Sequence, residues 1–191
     1  MQVSMYAGIP HSKAKDEQDH FTDAIVIALK TRTIPIENAI SESLKALSWL
    51  KKCGCQQFIF KYCSTFDSTK KGNIGPVADA LMKELKTDFT IACPSFPDAG
   101  RTVYNGHMFV NGVPLNESGM QNHPLTPMTD HNLVRWFNYQ TEGKVSLVDS
   151  ISIGNGIDSV IDKINELKNN GYQYAIPVSY THLTLPTIVR V

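Results

Sequence analysis

The sequence has no excess of charge of either sign, few cysteines and no long apolar run. Lys and Arg together number 18, and so do Asp and Glu, so the formal net charge is zero. A neutral chain excludes the recruitment of nucleic acid or an anionic membrane by a global electrostatic field. No stretch approaches the ~20 apolar residues of a membrane span, and the N-terminus lacks the pattern of a secretory signal. These absences favour a cytoplasmic enzyme or binding protein.

The four cysteines are Cys53, Cys55, Cys63 and Cys93. Their spacing matches neither a paired CxxC zinc pattern nor the disulfide scaffold of a small secreted domain. We therefore expect reduced thiols that are mostly buried.

The apolar runs predict an α/β fold. Five short runs rich in β-branched and aromatic residues are typical of buried parallel strands: Ala24–Leu29, Phe58–Tyr62, Phe89–Cys93, Val145–Val148 and Tyr172–Ile176. Three segments between or beside them carry an apolar stripe of helical period: Pro35–Cys53, Asn73–Lys86 and Ile157–Asn170. Alternating strands and helices predict a mostly parallel sheet flanked by helices.

A β-hairpin excursion interrupts this alternation. Asn111-Gly112 joins two apolar runs and is typical of a tight turn, so we expect a hairpin that covers one sheet edge. After the polar stretch that ends at Thr129, Asp130 is expected to cap a short helix through Leu133 and Phe137.

Both ends depart from the pattern. The first strand-like run, Gln2–Tyr6, has no strand-helix unit before it, which predicts an incomplete domain truncated at its N-terminus. The last residues, Val178–Val191, have no helical stripe and resemble a translated sequencing-adapter remnant, so we expect a non-native tail. The alternative is an authentic apolar edge strand.

Three unusually polar loops follow the first three of the five predicted strands. Ligands of open α/β sheets bind beyond the carboxyl ends of the strands, where these loops would lie. Their segments are Lys30–Thr33, Lys61–Thr69 and Pro94–Arg101. Guanidinium groups pair with a carboxylate or phosphate, and Ser, Thr and Asp bind hydroxyls. The loops thus predict a site for a small hydroxylated acid, although such residues are also ordinary loop and capping chemistry.

Other kinds of site have weaker support. His107, His123 and His131 with Asp130 could bind a metal, but no helical or hairpin spacing brings them together, so we predict none. Cys63 and Cys93 have no neighbouring base that would make them nucleophiles. No Gly-x-x-x-x-Gly-Lys phosphate loop is present, so the sequence predicts no nucleotide site.

Four segments resemble the four-carbon acid sugar kinase family, and within it the 3-oxo-tetronate kinase branch. They are Phe58–Thr69, Gly72–Leu81, Cys93–Val110 and Leu115–Arg135, and the resemblance covers residues 2–177. It implies that this chain is the sugar-acid-binding N-terminal domain, and that ATP and Mg²⁺ bind to an absent C-terminal domain. An Ala-Asp-Asp-x-Thr-Gly type motif that family members carry near their start is also absent. The fragment is then expected to be inactive alone.

The resemblance and the loop chemistry together predict a set of substrate-binding residues. Arg32 and Arg101 would face the substrate carboxylate, while Lys61, Ser64 and Thr65 would order its chain. The full set is Arg32, Lys61, Ser64, Thr65, Asp67, Ser68, Thr69, Gly72, Asn73, Gly100 and Arg101. The catalytic base is not identified.

The resemblance thus implies that this chain is the substrate half of an ATP-dependent kinase that phosphorylates 3-oxo-tetronate, threonate or erythronate. The expected partner is a small four-carbon sugar acid, with no nucleic acid and no membrane, and the sequence does not determine the oligomeric state. The alternative is a stand-alone, non-catalytic binding module for a small hydroxy acid. A hydrolase with Cys63 or Ser64 as nucleophile ranks last, because no paired histidine or oxyanion-hole motif accompanies them.

Overall fold

A computed structural model describes residues 2–10 and 22–180, which form eight strands and five helices. The strands are β1 (Val3–Ala7), β2 (Ala24–Ala28), β3 (Thr90–Ile91), β4 (Arg101–Tyr104), β5 (His107–Val110), β6 (Val113–Pro114), β7 (Val145–Val148) and β8 (Tyr174–Pro177). The helices are α1 (Ile36–Lys52), α2 (Ile74–Leu85), α3 (Leu133–Asn138), α4 (Ser150–Gly154) and α5 (Ile157–Asn169). The predicted mixed α/β class is confirmed.

The described residues form three sheets, of which two are parallel. β1 pairs with β2, and β8 lies between β3 and β7. In the second sheet, Tyr174 of the central strand β8 lies opposite Thr90 of β3 on one side and Val145 of β7 on the other. All four residues of β8 are buried, as expected for a central strand with neighbours on both sides.

One predicted strand is wrong. Phe58–Tyr62 belongs to no strand of the described residues. Its side chains alternate between half-buried and exposed, and Ile59 is 69% exposed, which is the pattern of an extended segment. Because no described strand pairs with its backbone, the extended segment is not part of a sheet.

The three long helices lie where their apolar stripes predicted them, with each end displaced by at most one residue. The expected cap of α3 is wrong, because Asn132 accepts the hydrogen bond from the Arg135 N–H at 2.9 Å. Asp130 lies two residues earlier, accepts from the Asn132 N–H at 2.9 Å and binds the Arg135 side chain. Two short polar side chains compete at this helix start, and the one adjacent to the first turn is the cap.

The hairpin excursion is confirmed and contains two tight turns. Asn111-Gly112 joins β5 to β6, and Asn105-Gly106, which the sequence analysis did not single out, joins β4 to β5. All four turn residues have positive φ, from 45° to 80°, as two-residue turns of this kind require. Val103 in β4 exchanges two 2.8 Å backbone hydrogen bonds with Ser179, so the hairpin lies beside the chain that leaves β8.

The main core lies beneath this hairpin and α3. It is a cluster of buried aromatic and aliphatic side chains in which Phe66, Met108, Trp136, Phe137 and Tyr174 are each at most 2% exposed. Burying each such side chain stabilises the fold by ~1.5–3 kcal/mol. The presence of Phe66 in this cluster means that a polar loop of the predicted site is anchored in the core.

One face of the β1–β2 sheet is apolar and open. Met5 is 76% exposed, Val3 46% and Val26 43%, and Met5 lies opposite Val26 in the register. The other face is covered, since the Tyr6 ring packs edge-on against Trp49 of α1 with ring centroids 5.3 Å apart. Only one side of this small sheet is therefore covered within the described residues, and its side chains are half-buried.

The cysteines are free thiols, but the prediction that they are mostly buried is wrong. Cys93 is exposed, and Cys53, Cys55 and Cys63 are half-buried. Cys53 and Cys55 flank Gly54 just beyond the end of α1, and the other two lie in loops near the predicted site. The four cysteines are at least partly accessible because all of them lie in loops and none lies in the core.

Val178 and Ser179 are buried, with 2% and 6% exposure. Residues 181–191 lie outside the described residues, so the expectation of a non-native tail stays a prediction. Among the described residues, no helix is long and apolar enough to cross a membrane.

Candidate functional site

The loops after β2 and before α2 are joined by one asparagine. The Asn73 amide donates to the backbone carbonyls of Thr31 at 2.7 Å and Ile34 at 2.8 Å, with a longer contact to Arg32 at 3.4 Å. Asn73 is 8% exposed and directly precedes α2. Its amide therefore fixes the backbone of the loop that carries Arg32, which is a positioning role.

Arg32 and Asp67, which the sequence placed in different loops, form an ion pair. The distance from Arg32 Nη1 to Asp67 Oδ2 is 3.1 Å. The other carboxylate oxygen, Asp67 Oδ1, accepts a 2.5 Å hydrogen bond from the Thr65 hydroxyl, and the Cys63 sulfur lies 3.1 Å from that hydroxyl. Thr65 and Asp67 are nearly inaccessible, at 4% and 6%, whereas the Arg32 side chain is 53% exposed.

Phe66 holds the Lys61–Thr69 loop in its unusual shape. Its φ of 54° lies in the left-handed region, which is rare for a bulky residue and marks local backbone strain. The fully buried ring packs edge-on against Tyr62 and Phe137, with centroids 5.2 and 5.5 Å apart. Core packing thus maintains the strained turn that places Asp67 beside Arg32 and Thr65 beside Asp67.

Ser68 is a structural residue of this loop. Its hydroxyl donates to the Phe66 carbonyl at 2.8 Å and accepts from Gln140 Nε2 at 2.8 Å and Trp136 Nε1 at 3.2 Å. Ser68 is 2% exposed, so its hydroxyl is saturated inside the protein. The contact between Ser68 and substrate stays a prediction, and the observed hydrogen bonds give the side chain a structural role.

Gly72 is required by close packing. A Cβ atom at this position would lie 2.7 Å from Ser68 Cβ and 2.9 Å from the Thr69 carbonyl oxygen. Any side chain would therefore displace the loop that holds Asp67 and Ser68. We infer that Gly72 shapes the site through its backbone.

Three other members of the predicted set are more accessible. Lys61 is exposed and its ammonium contacts the Tyr62 carbonyl. Ser64 is half-buried and its hydroxyl has no hydrogen bond among the described residues, while Thr69 accepts a 3.3 Å bond from the Lys71 N–H. These side chains have donor capacity left for a ligand.

Gly100 and Arg101 lie at the start of the hairpin. Gly100 has a φ of 72°, and a Cβ atom there would lie 2.0 Å from Asn111 Oδ1. The Arg101 Nη1 donates to the Ala99 carbonyl, and its Nε is buried without a hydrogen-bond partner among the described residues. A buried guanidinium N–H without a partner costs free energy unless a ligand satisfies it.

The structure brings Arg32, Thr65, Asp67 and Asn73 into one connected network. No described hydrogen bond or ion pair joins this network to Arg101.

Sequence reasoning placed Ser95 in the polar loop Pro94–Arg101 but missed its role, which is to connect the Arg101 strand to the chain that leaves β8. The Ser95 hydroxyl lies 3.0 Å from the Arg101 carbonyl and 2.7 Å from that of Ser179. No local signal could have identified it, because one partner is 84 residues away in sequence.

The histidine prediction needs a correction. The His107 and His131 rings contact each other with centroids 4.8 Å apart, because the start of β5 pairs with the chain that enters α3. Burial lowers the pKa of His107, the charges of His131 and Arg135 lower it further, and Asp130 opposes them. No group of three His, Cys, Asp or Glu residues that could bind a metal occurs within the described ranges.

Comparison with known proteins gives the family. The family described as "Sugar-binding N-terminal domain" matches residues 2–191. The chain belongs to this family. Curated relatives of this sugar-binding N-terminal domain include the 3-oxo-tetronate kinases of Pseudomonas savastanoi pv. phaseolicola, 51% identical over 98% of this chain, and Brucella melitensis, 54% identical over 81%. The resemblance to the 3-oxo-tetronate kinase branch is thus confirmed.

A solved structure shares the fold of this sugar-binding N-terminal domain. The crystal structure of a Haemophilus influenzae protein of the DUF1537 family superposes with a TM-score of 0.90 at 49% identity, over 94% of this chain. The chain spans 42% of that protein, and 43% and 35% of the two curated relatives.

Proposed function

We propose that this chain is the substrate-binding portion of an ATP-dependent kinase for a four-carbon sugar acid, with 3-oxo-tetronate as the first candidate substrate. The observation that carries the proposal is the 51% identity, over 98% of the chain, to a protein named 3-oxo-tetronate kinase. Threonate and erythronate are related candidates, since both combine one carboxylate with several hydroxyls on four carbons.

Two guanidinium groups and several accessible polar side chains suit such a ligand. The exposed Arg32 guanidinium is a donor for a carboxylate, and so is the buried Nε of Arg101, which has no hydrogen-bond partner among the described residues. Lys61, Ser64 and Thr69 offer donors and acceptors for hydroxyl groups. Thr65, Asp67, Ser68, Gly72, Asn73 and Gly100 would then act indirectly, by shaping the loops and holding the side chains that bind.

ATP and Mg²⁺ belong to the proposed reaction, but the described residues of this chain do not fit them. The sequence has no phosphate-loop motif, and the described residues contain no cluster of carboxylates that could hold Mg²⁺. The contribution of this chain would be to orient the acceptor hydroxyl, because phosphoryl transfer depends on in-line positioning of the attacking oxygen. The nucleotide would bind elsewhere in the full-length protein.

The test is an ATP-consumption assay of the complete reading frame with 3-oxo-tetronate, D-threonate and D-erythronate. Turnover of any of these acids supports the kinase and identifies its substrate. Saturable binding of an acid, measured by calorimetry, with no ATP consumption would overturn the kinase and support the alternative binding module. Absence of both binding and turnover would overturn the proposed ligand class.

A further inference from the structure

We propose that Asp67 is a positioning residue, which aims the Arg32 guanidinium at the bound sugar acid and does not contact the acid itself. This inference rests on the proposed function and assigns the roles within its site. It changes the expectation that Asp67 binds substrate directly.

Asp67 has little capacity left for a ligand. Only 6% of it is exposed, and each carboxylate oxygen already accepts a hydrogen bond, Oδ1 from Thr65 and Oδ2 from Arg32. A substrate carboxylate would also be repelled by this negative charge at short range. Direct recognition of an anionic ligand by Asp67 is therefore disfavoured by both access and charge.

Arg32 has the complementary properties. Its side chain is 53% exposed, and Nη1 bound to Asp67 is its one polar side-chain contact among the described residues. The remaining N–H groups of the guanidinium can still pair with a carboxylate, which takes up to two parallel hydrogen bonds. One edge of the group is held by the protein and another is available to ligand.

An exposed arginine without such a partner would sample many rotamers and lose that freedom on binding. Here the loop backbone is fixed by Asn73 and the guanidinium by Asp67. Asp67 is itself held by Thr65 and by the strained, core-packed Phe66 between them. The network pre-organises Arg32 for binding. Removal of Asp67 should therefore weaken sugar-acid binding only because Arg32 is no longer held in place.

The experiment is a double-mutant cycle in the full-length protein that contains this chain. Asp67→Asn, Arg32→Ala and the combined variant are compared with the unaltered protein for the KM of the sugar acid, the KM of ATP and kcat. Asp67→Asn is expected to raise the sugar-acid KM about tenfold, with the ATP KM and kcat within about twofold. In the Arg32→Ala background the same change should have no further effect.

Asp130→Asn is the matched control. Asp130 pairs with Arg135 at 2.6 Å, and the exposures of the two side chains, 17% and 55%, resemble those of the Asp67–Arg32 pair. This pair lies at the start of α3, outside the network of Arg32 and Asp67. The control should leave the sugar-acid KM within about twofold, which separates loss of a positioned guanidinium from general loss of an ion pair.

An equal KM increase for Asp67→Asn in both backgrounds would overturn the proposal, because it would mean that Asp67 acts on the ligand independently of Arg32. An unchanged KM in the single variant would overturn it as well. If a thermal melt shows that Asp67→Asn does not fold, Thr65→Val is tested in its place. A KM increase of less than tenfold that disappears in the Arg32→Ala background supports the proposal, and an unchanged KM refutes it. An unaltered protein that neither binds nor turns over sugar acids would instead refute the proposed function.

Discussion

Replacement of Ser68 by Ala should lower stability without a direct effect on sugar-acid binding. The change removes a hydroxyl that accepts from Gln140 Nε2 and Trp136 Nε1 and donates to the Phe66 carbonyl. All of these groups are buried, and the cavity left by one oxygen atom is small. The side chain that was expected to bind substrate would thus report on the anchoring of the loop in the core.

The magnitude follows from the two N–H donors that lose their acceptor. A buried polar group left unsatisfied costs ~1–3 kcal/mol, so a loss of about 3 kcal/mol in the free energy of unfolding is expected. For a domain of this size, each kcal/mol corresponds to roughly 2–4 °C, which gives a fall of roughly 6–12 °C in the thermal midpoint. Calorimetry of the full-length variant measures the midpoint, and hydrogen exchange of the loop peptides locates the change.

The matched control is Ser118→Ala. Ser118 donates one 2.7 Å hydrogen bond, to the Leu115 carbonyl, so its loss should cost about 1 kcal/mol. The reasoning is refuted if the Ser68 variant has the same thermal midpoint as the unaltered protein. It is also refuted if the sugar-acid KM of the variant rises by tenfold or more while the thermal midpoint is unchanged. The second result would restore Ser68 as a direct ligand of the substrate.

Three further outcomes are expected. Arg101→Ala should raise the sugar-acid KM at least about tenfold in the full-length enzyme, since a charge-assisted hydrogen bond is lost, and an unchanged KM would refute its assignment. Burial, and then the charge of His131, lower the folded-state pKa of His107. The stability that His107 contributes is therefore fully present above its ordinary pKa of 6.5 and is lost as pH falls from that value through the lowered folded-state pKa. His107→Gln should flatten this pH dependence in thermal melts from pH 5 to 8. The isolated chain should aggregate or melt at low temperature because Met5 and Val26 expose an apolar sheet face, and replacement of both by Lys should raise its solubility; a cooperative melt of the isolated, unaltered chain well above 40 °C would count against this.

Local patterns were sufficient for most of the helices and turns. The apolar stripe between Pro35 and Cys53 has a helical period that only a helix can bury on one side, and α1 occupies it within one residue at each end. Asn111-Gly112 provides two residues that tolerate positive φ, which a two-residue hairpin turn needs. Such features depend on neighbours in sequence, and so they can be predicted without tertiary contacts.

The strand Phe58–Tyr62 shows where local patterns are insufficient. Its composition is typical of a buried strand, yet a strand exists only where another backbone pairs with it, and none does so among the described residues. His107 and His131 are the reverse case, because a bridge to residue 132 brings together rings that no sequence spacing connects.

The sequence by itself determined the family, the α/β class, the long helices and the set of polar loops, because long motifs and hydrophobic periods are local properties of the chain. Only the tertiary structure decided which polar side chains remain available to a ligand. Arg32 is 35 residues from its partner Asp67, and Ser68 is 72 residues from Gln140. A hydroxyl or carboxylate side chain looks the same in the sequence whether it binds a substrate or another side chain. Only the folded arrangement of distant segments distinguishes these two roles.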